Sequence, residues 1–223
     1  ILTHELTHIL HLDTVEGLPR VLRLVFGRIV SMNMVSPGWI TEGIATWTET
    51  ELTAVGRGLA SEAAMIKRMT TLEGHFPPLG NLDGFQSDPP YGNLRYLFGQ
   101  DFVQYIAEQA GHDTWNEWIH GYGRWIIPYW LPAKRIHGRS YRAYYADWRA
   151  EVEQRYAAVK AELEAEGLTE SAMVSDGQAA CNGPRFSPDG AKLLYSCNSR
   201  EHGPGIWLAS ADGRDPRKLY DET

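Results

Sequence analysis

The residues best suited to chemistry stand at the start of the chain, in the run ILTHELTHILHLD. His4 and His8 are four positions apart, so on a helix they share one face and lie about 6 Å apart along its axis. This spacing lets two imidazoles bind one zinc ion, and Glu5 can take a proton from a water that the zinc activates. The competing interpretation of this HExxH pattern is a helix with a few solvated histidines, since a five-residue pattern also arises by chance.

His11 is the nearest candidate for a third ligand, but its position argues against that role. It lies seven positions from His4, about 10.5 Å along the helix axis, and three ligands on one straight helix cannot converge on one tetrahedral ion. His11 and Asp13 are therefore expected to support the ligands or to lie at the surface. The apolar residues of the same run predict a buried helix: Ile1, Leu2, Leu6, Ile9 and Leu10.

A better candidate for the third ligand lies in the run PGWITEGIATWTETE. Pro37 and Gly38 interrupt the preceding segment, so a new helix is predicted to begin at Trp39. Glu42 would then lie in the first turn of this helix. An acid there also complements the helix dipole, so Glu42 taken alone fits either role. Its pairing with the two upstream histidines favours metal binding.

These two runs together resemble the gluzincin metallopeptidases, the peptidase MA-like enzymes of the aminopeptidase-N and leukotriene-hydrolase type. The resemblance covers HExxH and the helix pattern WxxEGxAxxxE. It implies that His4, His8 and Glu42 are the ligands of a Zn²⁺ ion. It also implies that Glu49, seven positions after Glu42, supports the ligands from outside. The interval between the two runs is longer than in the aminopeptidases proper, which allows a differently shaped cleft.

A third stretch, PPYGNLRYLFGQDFVQYIAEQAG, extends the resemblance. The same enzymes have two tyrosines five positions apart and glycines three and fifteen positions after the second, as do Tyr91, Tyr96, Gly99 and Gly111. The resemblance implies that Tyr96 is the catalytic tyrosine, which donates a hydrogen bond to the oxyanion, and that Tyr91 supports it. The alternative is ordinary aromatic packing, since the chain has 11 tyrosines.

Composition limits the classes of partner. The chain has 223 residues, 43% of them hydrophobic, which is enough to bury a core, and a formal net charge of −7. That charge argues against nucleic acid or an anionic membrane as a partner. No run approaches the roughly 18 apolar residues that span a bilayer. Several of the eight tryptophans fall between positions 115 and 148; they could line a peptide groove, but packing between helices is the commoner role.

The chain is predicted to be mainly helical up to residue 172. Apolar periodicity and stop signals predict helices at 1–12, 18–30, 39–51, 59–72, 92–110, 114–121 and 141–166. The segments 73–90 and 122–140 are rich in Gly and Pro and are predicted to be loops beside the cleft. Three further histidines of this region, His112, His120 and His137, are assigned no role.

From Met173 the composition changes to short β-rich runs separated by turn dipeptides such as Asp189-Gly190 and Asp212-Gly213. Strands are predicted at 178–186, 192–197, 205–210 and 216–220. The run resembles one blade of a TolB-type β-propeller, which implies a module that binds a protein partner; the alternative is an unrelated β-meander.

The predicted fold class is therefore α+β, with a mainly helical zincin catalytic subdomain at 1–172 and a first propeller blade at 173–223. A propeller ring takes at least about four blades. The gluzincins also have a β-rich part before the metal helix. We therefore expect the chain to be a fragment of a longer protein.

Cys181 and Cys197 stand at equal distances from Asp189, on adjacent strands of the predicted hairpin. They could face each other and form a disulfide, which is typical of an oxidising compartment; two buried free thiols fit the pattern as well. TolB-like blades also resemble proteins of the bacterial envelope. Together these features favour a periplasmic, cell-envelope or secreted location.

The resemblance implies zinc-dependent hydrolysis of a bond in a peptide or protein substrate. Glu5 would pass a proton from the attacking water to the leaving amine, while the zinc and Tyr96 would stabilise the tetrahedral oxyanion. Two alternatives stay open: a catalytically inactive zincin-like scaffold with a propeller for protein binding, and a zinc hydrolase with a non-peptide substrate. The intact Glu5 argues against the inactive scaffold, which has no need of a general base.

Overall fold

The computed structural model describes residues 2–84, 91–169, 179–199 and 203–221. Within these ranges, helices are followed by an antiparallel sheet, so the predicted α+β class is confirmed. The helices are α1 (Leu2–Leu12), α2 (Gly17–Phe26), α3 (Gly38–Leu52), α4 (Ser61–Leu72), α5 (Leu94–Ala110), α6 (Thr114–Gly123), α7 (Trp130–Ile136) and α8 (Tyr141–Glu166). The strands are β1 (Ala179–Phe186), β2 (Lys192–Ser199), β3 (Gly203–Ser210) and β4 (Arg217–Asp221).

The helices and the strands belong to two compact units, Ile1–Ala165 and Glu166–Thr223. The division falls at the end of α8, shortly before the boundary predicted after residue 172. Residues 170–178, which include that boundary, lie outside the described ranges. Among the described helices, none is both long and apolar enough to cross a membrane.

Two predicted boundaries are wrong, and both involve Pro or Gly. The predicted loop 122–140 contains α7, because Pro132 is the third residue of that helix, where no backbone N–H is needed for an intrahelical bond. The predicted helix 18–30 ends at Phe26, because Gly27 adopts a φ of 77° that does not continue a helix.

Helix α1 turns its histidines inward and its apolar side chains outward, the reverse of the prediction. Its buried residues are His4 and His11. Its apolar side chains are between 48% and 74% exposed: Leu2, Leu6, Ile9 and Leu10. The polar face packs against α3. The end of α1 is held by Ser31, whose hydroxyl donates a hydrogen bond of 2.6 Å to the carbonyl of Leu12.

Helices α3 and α5 cross at close range because each has a glycine at the crossing. A Cβ on Gly43 would lie 2.7 Å from the carbonyl oxygen of Gly99, and a Cβ on Gly99 would lie 2.9 Å from that of Trp39. Both obstacles are backbone atoms, so a side-chain movement does not relieve them. The crossing places Tyr96 of α5 so close to Glu42 of α3 that, in addition to burial, the carboxylate raises the pKa of Tyr96.

Asp83 fixes the beginning of α3. Its carboxylate accepts a hydrogen bond of 2.5 Å from the backbone N–H of Trp39, and its carbonyl accepts one of 2.6 Å from Nη2 of Arg95. Burial raises the pKa of Asp83, although the Trp39 N–H and the Arg95 charge oppose that shift. Because Arg95 lies in the first turn of α5, one acid ties together the starts of both crossing helices.

An aromatic core surrounds the crossing. Its largest side chains are at most 2% exposed: Trp39, Trp115, Trp118, Trp148, Tyr122, Phe98 and Phe102. Trp39 is central, with ring centroids 5.1 Å from Phe102 and 5.2 Å from Tyr141. The packing role expected of the tryptophans is confirmed for those in the core, whereas Trp125 and Trp130 are more than half exposed, at 55% and 57%.

The second unit contains a four-stranded antiparallel sheet in the order β1-β2-β3-β4. Gly190, in the predicted Asp189-Gly190 turn between β1 and β2, has a φ of 72°. Cys181 and Cys197 lie opposite each other in the ladder and form a disulfide, one of the two arrangements that the sequence left open. One such sheet is not a propeller, which takes about four or more sheets around an axis.

His137, to which the sequence analysis assigned no role, is a buried residue at the end of α7. Its Nδ1 lies 2.7 Å from the hydroxyl of Thr114, and its carbonyl accepts a hydrogen bond of 2.5 Å from Tyr144. Burial lowers the pKa of His137 to about 4. The folded state therefore favours the neutral imidazole.

We expect acid to destabilise the protein through His137. The pKa of an ordinary histidine is 6.5, whereas that of His137 in the fold is about 4. The contribution of neutral His137 to the free energy of unfolding is therefore complete above pH 6.5. It is lost as the pH falls through about 4, and the loss is on the order of 3 kcal/mol. The variant His137→Asn keeps a partner for Thr114. Between about pH 7.5 and about pH 4, its free energy of unfolding in urea should fall less than that of the wild-type protein. Parallel pH curves for the two proteins would contradict this.

Gly43→Ala should force α3 and α5 apart. The added methyl group meets the backbone of Gly99, so we expect the free energy of unfolding in urea to fall by about 1–3 kcal/mol. Gly80→Ala is the matched control, because a Cβ there has no heavy atom within 4 Å. If both variants unfolded at the same urea concentration, the crossing would not be a tight contact.

Candidate metal centre

Three side-chain atoms from two helices converge between α1 and α3. His4 Nε2 and His8 Nε2 lie 3.0 Å apart, and each lies 3.2 Å from Glu42 Oε2. The side chain of His4 is 5% exposed, while those of His8 and Glu42 are 18% and 20% exposed. The three residues predicted to be ligands are thus in one cluster that is open to solvent on one side.

The dimensions of this cluster fit a zinc ion. Atoms bound at about 2.0–2.1 Å to a tetrahedral ion lie roughly 3.3 Å from one another, close to the observed separations. Two imidazole nitrogens and one carboxylate oxygen are donors that zinc accepts. Glu42 Oε2 is buried and accepts no well-aligned hydrogen bond from the described residues, which leaves its lone pairs for a cation.

Glu42 lies in the second turn of α3, not in the first turn as predicted, because the helix begins at Gly38. At this position the acid is beyond the unpaired N–H groups at the start of the helix. The alternative role of Glu42, complementing the helix dipole, is therefore weakened. The two imidazole nitrogens are close neighbours of its carboxylate.

Glu49 supports His4 from the side away from the other ligands. It is 7% exposed, and its Oε2 lies 3.6 Å from His4 Nδ1. A carboxylate near Nδ1 favours the tautomer that has its proton there, which is the tautomer that a metal at Nε2 requires. Arg57 Nη2 lies 3.0 Å from the same Nδ1 and can only donate, so it favours the opposite tautomer when no metal is bound. The corresponding Nδ1 of His8 is buried and has no hydrogen-bond partner among the described residues.

Burial and neighbouring charges set the ionisation of the cluster. Burial lowers the pKa of His4, and Arg57 and His8 lower it further. Burial opposes the ionisation of Glu42, but the proximity of His8 and His4 outweighs it and holds the pKa of Glu42 below its ordinary value. At neutral pH, His4 is therefore neutral and Glu42 is ionised, as metal binding requires.

Tyr96 reaches the cluster from α5. Its ring centroid lies 6.2 Å from that of His4. Burial raises the pKa of Tyr96, and the Glu42 carboxylate raises it further. The phenol therefore stays protonated at neutral pH and can donate a hydrogen bond. Tyr91 begins the 3-10 turn Tyr91–Asn93, but its side chain lies outside the described part of the molecule.

Glu5 is exposed on α1, directly after His4 in the chain. Successive residues of a helix are rotated by about 100°. Its side chain therefore leaves the helix on a different face from that of His4, and its carboxylate is not one of the clustered donor atoms. An acid in this position is accessible to water and to a substrate.

His11 and Asp13 were both expected to support the ligands or to lie at the surface, and only Asp13 does so. His11 is 1% exposed, and its imidazole centroid lies 6.2 Å from the ring of Trp118. Burial, with a smaller contribution from His8, lowers the pKa of His11 to about 4. It is therefore a neutral core residue. Asp13 lies at the surface and accepts a hydrogen bond of 2.5 Å from Arg23.

Arg57 belongs to the site, and the sequence analysis missed it. Its Nη2 lies 3.0 Å from His4 Nδ1 and its Nε 3.3 Å from Glu49 Oε2. The guanidinium carbon lies 4.9 Å from the centroid of the Tyr96 ring. The signal that could have found it is the run Gly56-Arg57-Gly58 soon after the acid of α3. Paired glycines around a charged residue indicate a turn pressed against other backbone.

Within the described ranges, His4, His8 and Glu42 are the one set of three acidic, His or Cys residues whose donor atoms lie within 4.8 Å of one another. With an accessible acid and a phenol beside it, such a set can hold a metal ion and support proton transfer. No protein-family profile, curated protein or solved structure matches this chain. The interpretation of the site therefore depends on the side chains themselves.

Proposed function

We propose that this chain contains a zinc-dependent hydrolase that cleaves peptide bonds. The observation that carries the proposal is the triangle of His4 Nε2, His8 Nε2 and Glu42 Oε2, with sides of 3.0, 3.2 and 3.2 Å. The acid that HExxH requires, Glu5, directly follows His4 in α1 and is exposed, which supports its use as the general base. The resemblance to the gluzincins supports the same assignment and supports a peptide as the substrate.

Each of the remaining site residues has a role that follows from its position. When bound by the three ligands, zinc would supply Lewis acidity, which activates a water and polarises a carbonyl. Glu5 accepts the proton of the attacking water and delivers it to the leaving amine. Tyr96 donates a hydrogen bond to the carbonyl oxygen as that carbon becomes tetrahedral. Glu49 would accept the Nδ1 proton of His4 when Nε2 binds the metal.

For the second unit, the proposal is that its sheet is one blade of a TolB-type propeller and binds a protein partner. Four antiparallel strands in sequential order support this, because a blade has that arrangement. The disulfide between Cys181 and Cys197 supports an oxidising compartment, such as the periplasm, the cell envelope or the exterior.

We expect about one zinc per chain, held by the three ligands. His8→Ala and Glu42→Ala should each weaken zinc binding by at least ~100-fold in a competition titration with a chelator, since loss of a supporting group alone can cost that much. His75→Ala is the control, because His75 is exposed and belongs to no ligand cluster of the described residues. Full zinc affinity without Glu42 would overturn the proposed ligand set.

Removal of the general base should stop catalysis without loss of metal. In Glu5→Gln, we expect kcat/KM for peptides to fall by about 10²–10⁴-fold, with the zinc content unchanged. Tyr96→Phe should lower kcat by about 10²–10³-fold. Mass spectrometry of peptides incubated with each variant measures both losses of cleavage. Glu62→Gln and Tyr220→Phe are the controls, because these residues are exposed.

The outcomes separate the competing functions. A zinc-loaded chain that cleaves no peptide but hydrolyses another ester or amide would point to a non-peptide hydrolase. A chain that binds zinc but hydrolyses no substrate, and whose zinc binding does not change in Glu5→Gln, would point to an inactive scaffold. Peptide cleavage that persists in Glu5→Gln would remove that acid from the mechanism.

A further inference from the structure

The guanidinium of Arg57 is placed beside the candidate metal centre but is only partly used by it. Its Nε pairs with Glu49 at 3.3 Å, and its carbon lies over the face of the Tyr96 ring at 4.9 Å from the centroid. The side chain is still 43% exposed. Two contacts therefore fix the plane of the group, while a substantial part of the side chain stays open to solvent.

The backbone, and not only the side chain, sets this position. The N–H of Gly58 donates a hydrogen bond of 3.1 Å to the hydroxyl of Thr50. A Cβ on Gly56 would lie 2.4 Å from the Cα of Thr50. The turn that carries Arg57 is thus pressed against α3, in the same stretch of helix that presents Glu49. A charged side chain held by a tight turn is preorganised for binding.

Metal binding by His4 would release a donor of Arg57. Nη2 lies 3.0 Å from His4 Nδ1, and an arginine nitrogen can only donate. When His4 binds a metal through Nε2, Nδ1 has a proton and also donates, so these two atoms no longer form a hydrogen bond. Glu49 Oε2, 3.6 Å from Nδ1, would then be the acceptor for that proton. The Nη groups of Arg57 are then left with donors for an acceptor from outside.

We propose that Arg57 binds a carboxylate of the peptide substrate next to the bond that is cleaved, an inference that rests on the proposed function. The planar fork of an arginine matches the two oxygens of a carboxylate. A peptide offers that group in two places, on an acidic side chain and at its C-terminus. Arg57 thereby makes the site selective for peptides with a negative charge close to the scissile bond.

Matched peptide pairs test this selectivity. Each pair differs in one group, Asp against Asn beside the cleaved bond, or a free against an amidated C-terminus. In the wild-type chain we expect the charged member to have the higher kcat/KM by about 10–100-fold. Arg57→Gln should bring the ratio of kcat/KM between the charged and the neutral member of each pair to about one. This ratio is the readout because Arg57 also contacts His4 and Glu49, so that the substitution can change the cleavage of both members. The pair that loses its preference identifies the source of the carboxylate.

Equilibrium binding provides a second measurement that does not depend on turnover. The same peptides are titrated calorimetrically into zinc-loaded Glu5→Gln and into Glu5→Gln with Arg57→Gln. We expect the second substitution to weaken the binding of the charged member of each pair by about 10–100-fold more than that of the neutral member. Arg57→Lys, which keeps the charge and loses the fork, should recover a small part of the loss.

Failure of this inference differs from failure of the proposed function. If wild type cleaves peptides and Arg57→Gln weakens charged and neutral members equally, Arg57 only positions His4 and Tyr96, and the inference is wrong. If nothing is cleaved, the proposed function fails, and the calorimetric comparison still decides whether Arg57 binds a carboxylate. Thermal melting of Arg57→Gln checks that the fold has not changed.

Discussion

The close crossing of α3 and α5 is the contact on which the rest of the site depends. Gly43 directly follows Glu42, and Gly99 lies one helical turn after Tyr96. Because the two backbones meet at these glycines, the carboxylate of Glu42 and the phenol of Tyr96 are brought together. Any larger residue at either position would move a proposed ligand away from the proposed oxyanion donor, because helices are nearly rigid over one turn.

Helix α1 is attached to this pair of helices through polar groups. Burial of apolar surface usually holds a helix in place, but here the leucine face is exposed and the histidine face is buried. The contacts of His4 with Glu42, Glu49 and Arg57 therefore hold the helix as well as forming the cluster. A cation bound to both helices would cross-link them, so metal binding and the stability of α1 are linked.

The features that could be predicted from the sequence are those that depend on neighbouring residues along the chain. A four-residue spacing places His4 and His8 on one face wherever that helix packs, and a turn dipeptide such as Asp189-Gly190 indicates a hairpin by itself. Periodicity could not show which face of α1 points inward, because apolar residues normally decide that and here they do not. It also could not show that His11 is buried against Trp118, a residue far along the chain.

Other errors had the same origin. The Gly and Pro content of 122–140 predicts a loop, yet Pro132 lies in the first turn of α7, where a proline does not break a helix. Arg57 has no motif of its own; it reaches His4 only because a glycine-flanked turn packs on Thr50 of α3. Residues whose role depends on a contact between distant segments leave little trace in local pattern.

The three candidate ligands also differ in how firmly they are held, and this has a chemical consequence. His4 is almost fully buried and has two partners at Nδ1, whereas the Nδ1 of His8 has no partner among the described residues. A tetrahedral zinc needs its ligand atoms roughly 3.3 Å apart, slightly more than the 3.0 and 3.2 Å found. Small rotations of His8 and Glu42, the more exposed pair, are enough to open the triangle. His4 is the most deeply buried of the three side chains, so the adjustment falls on the two ligands that are open to solvent.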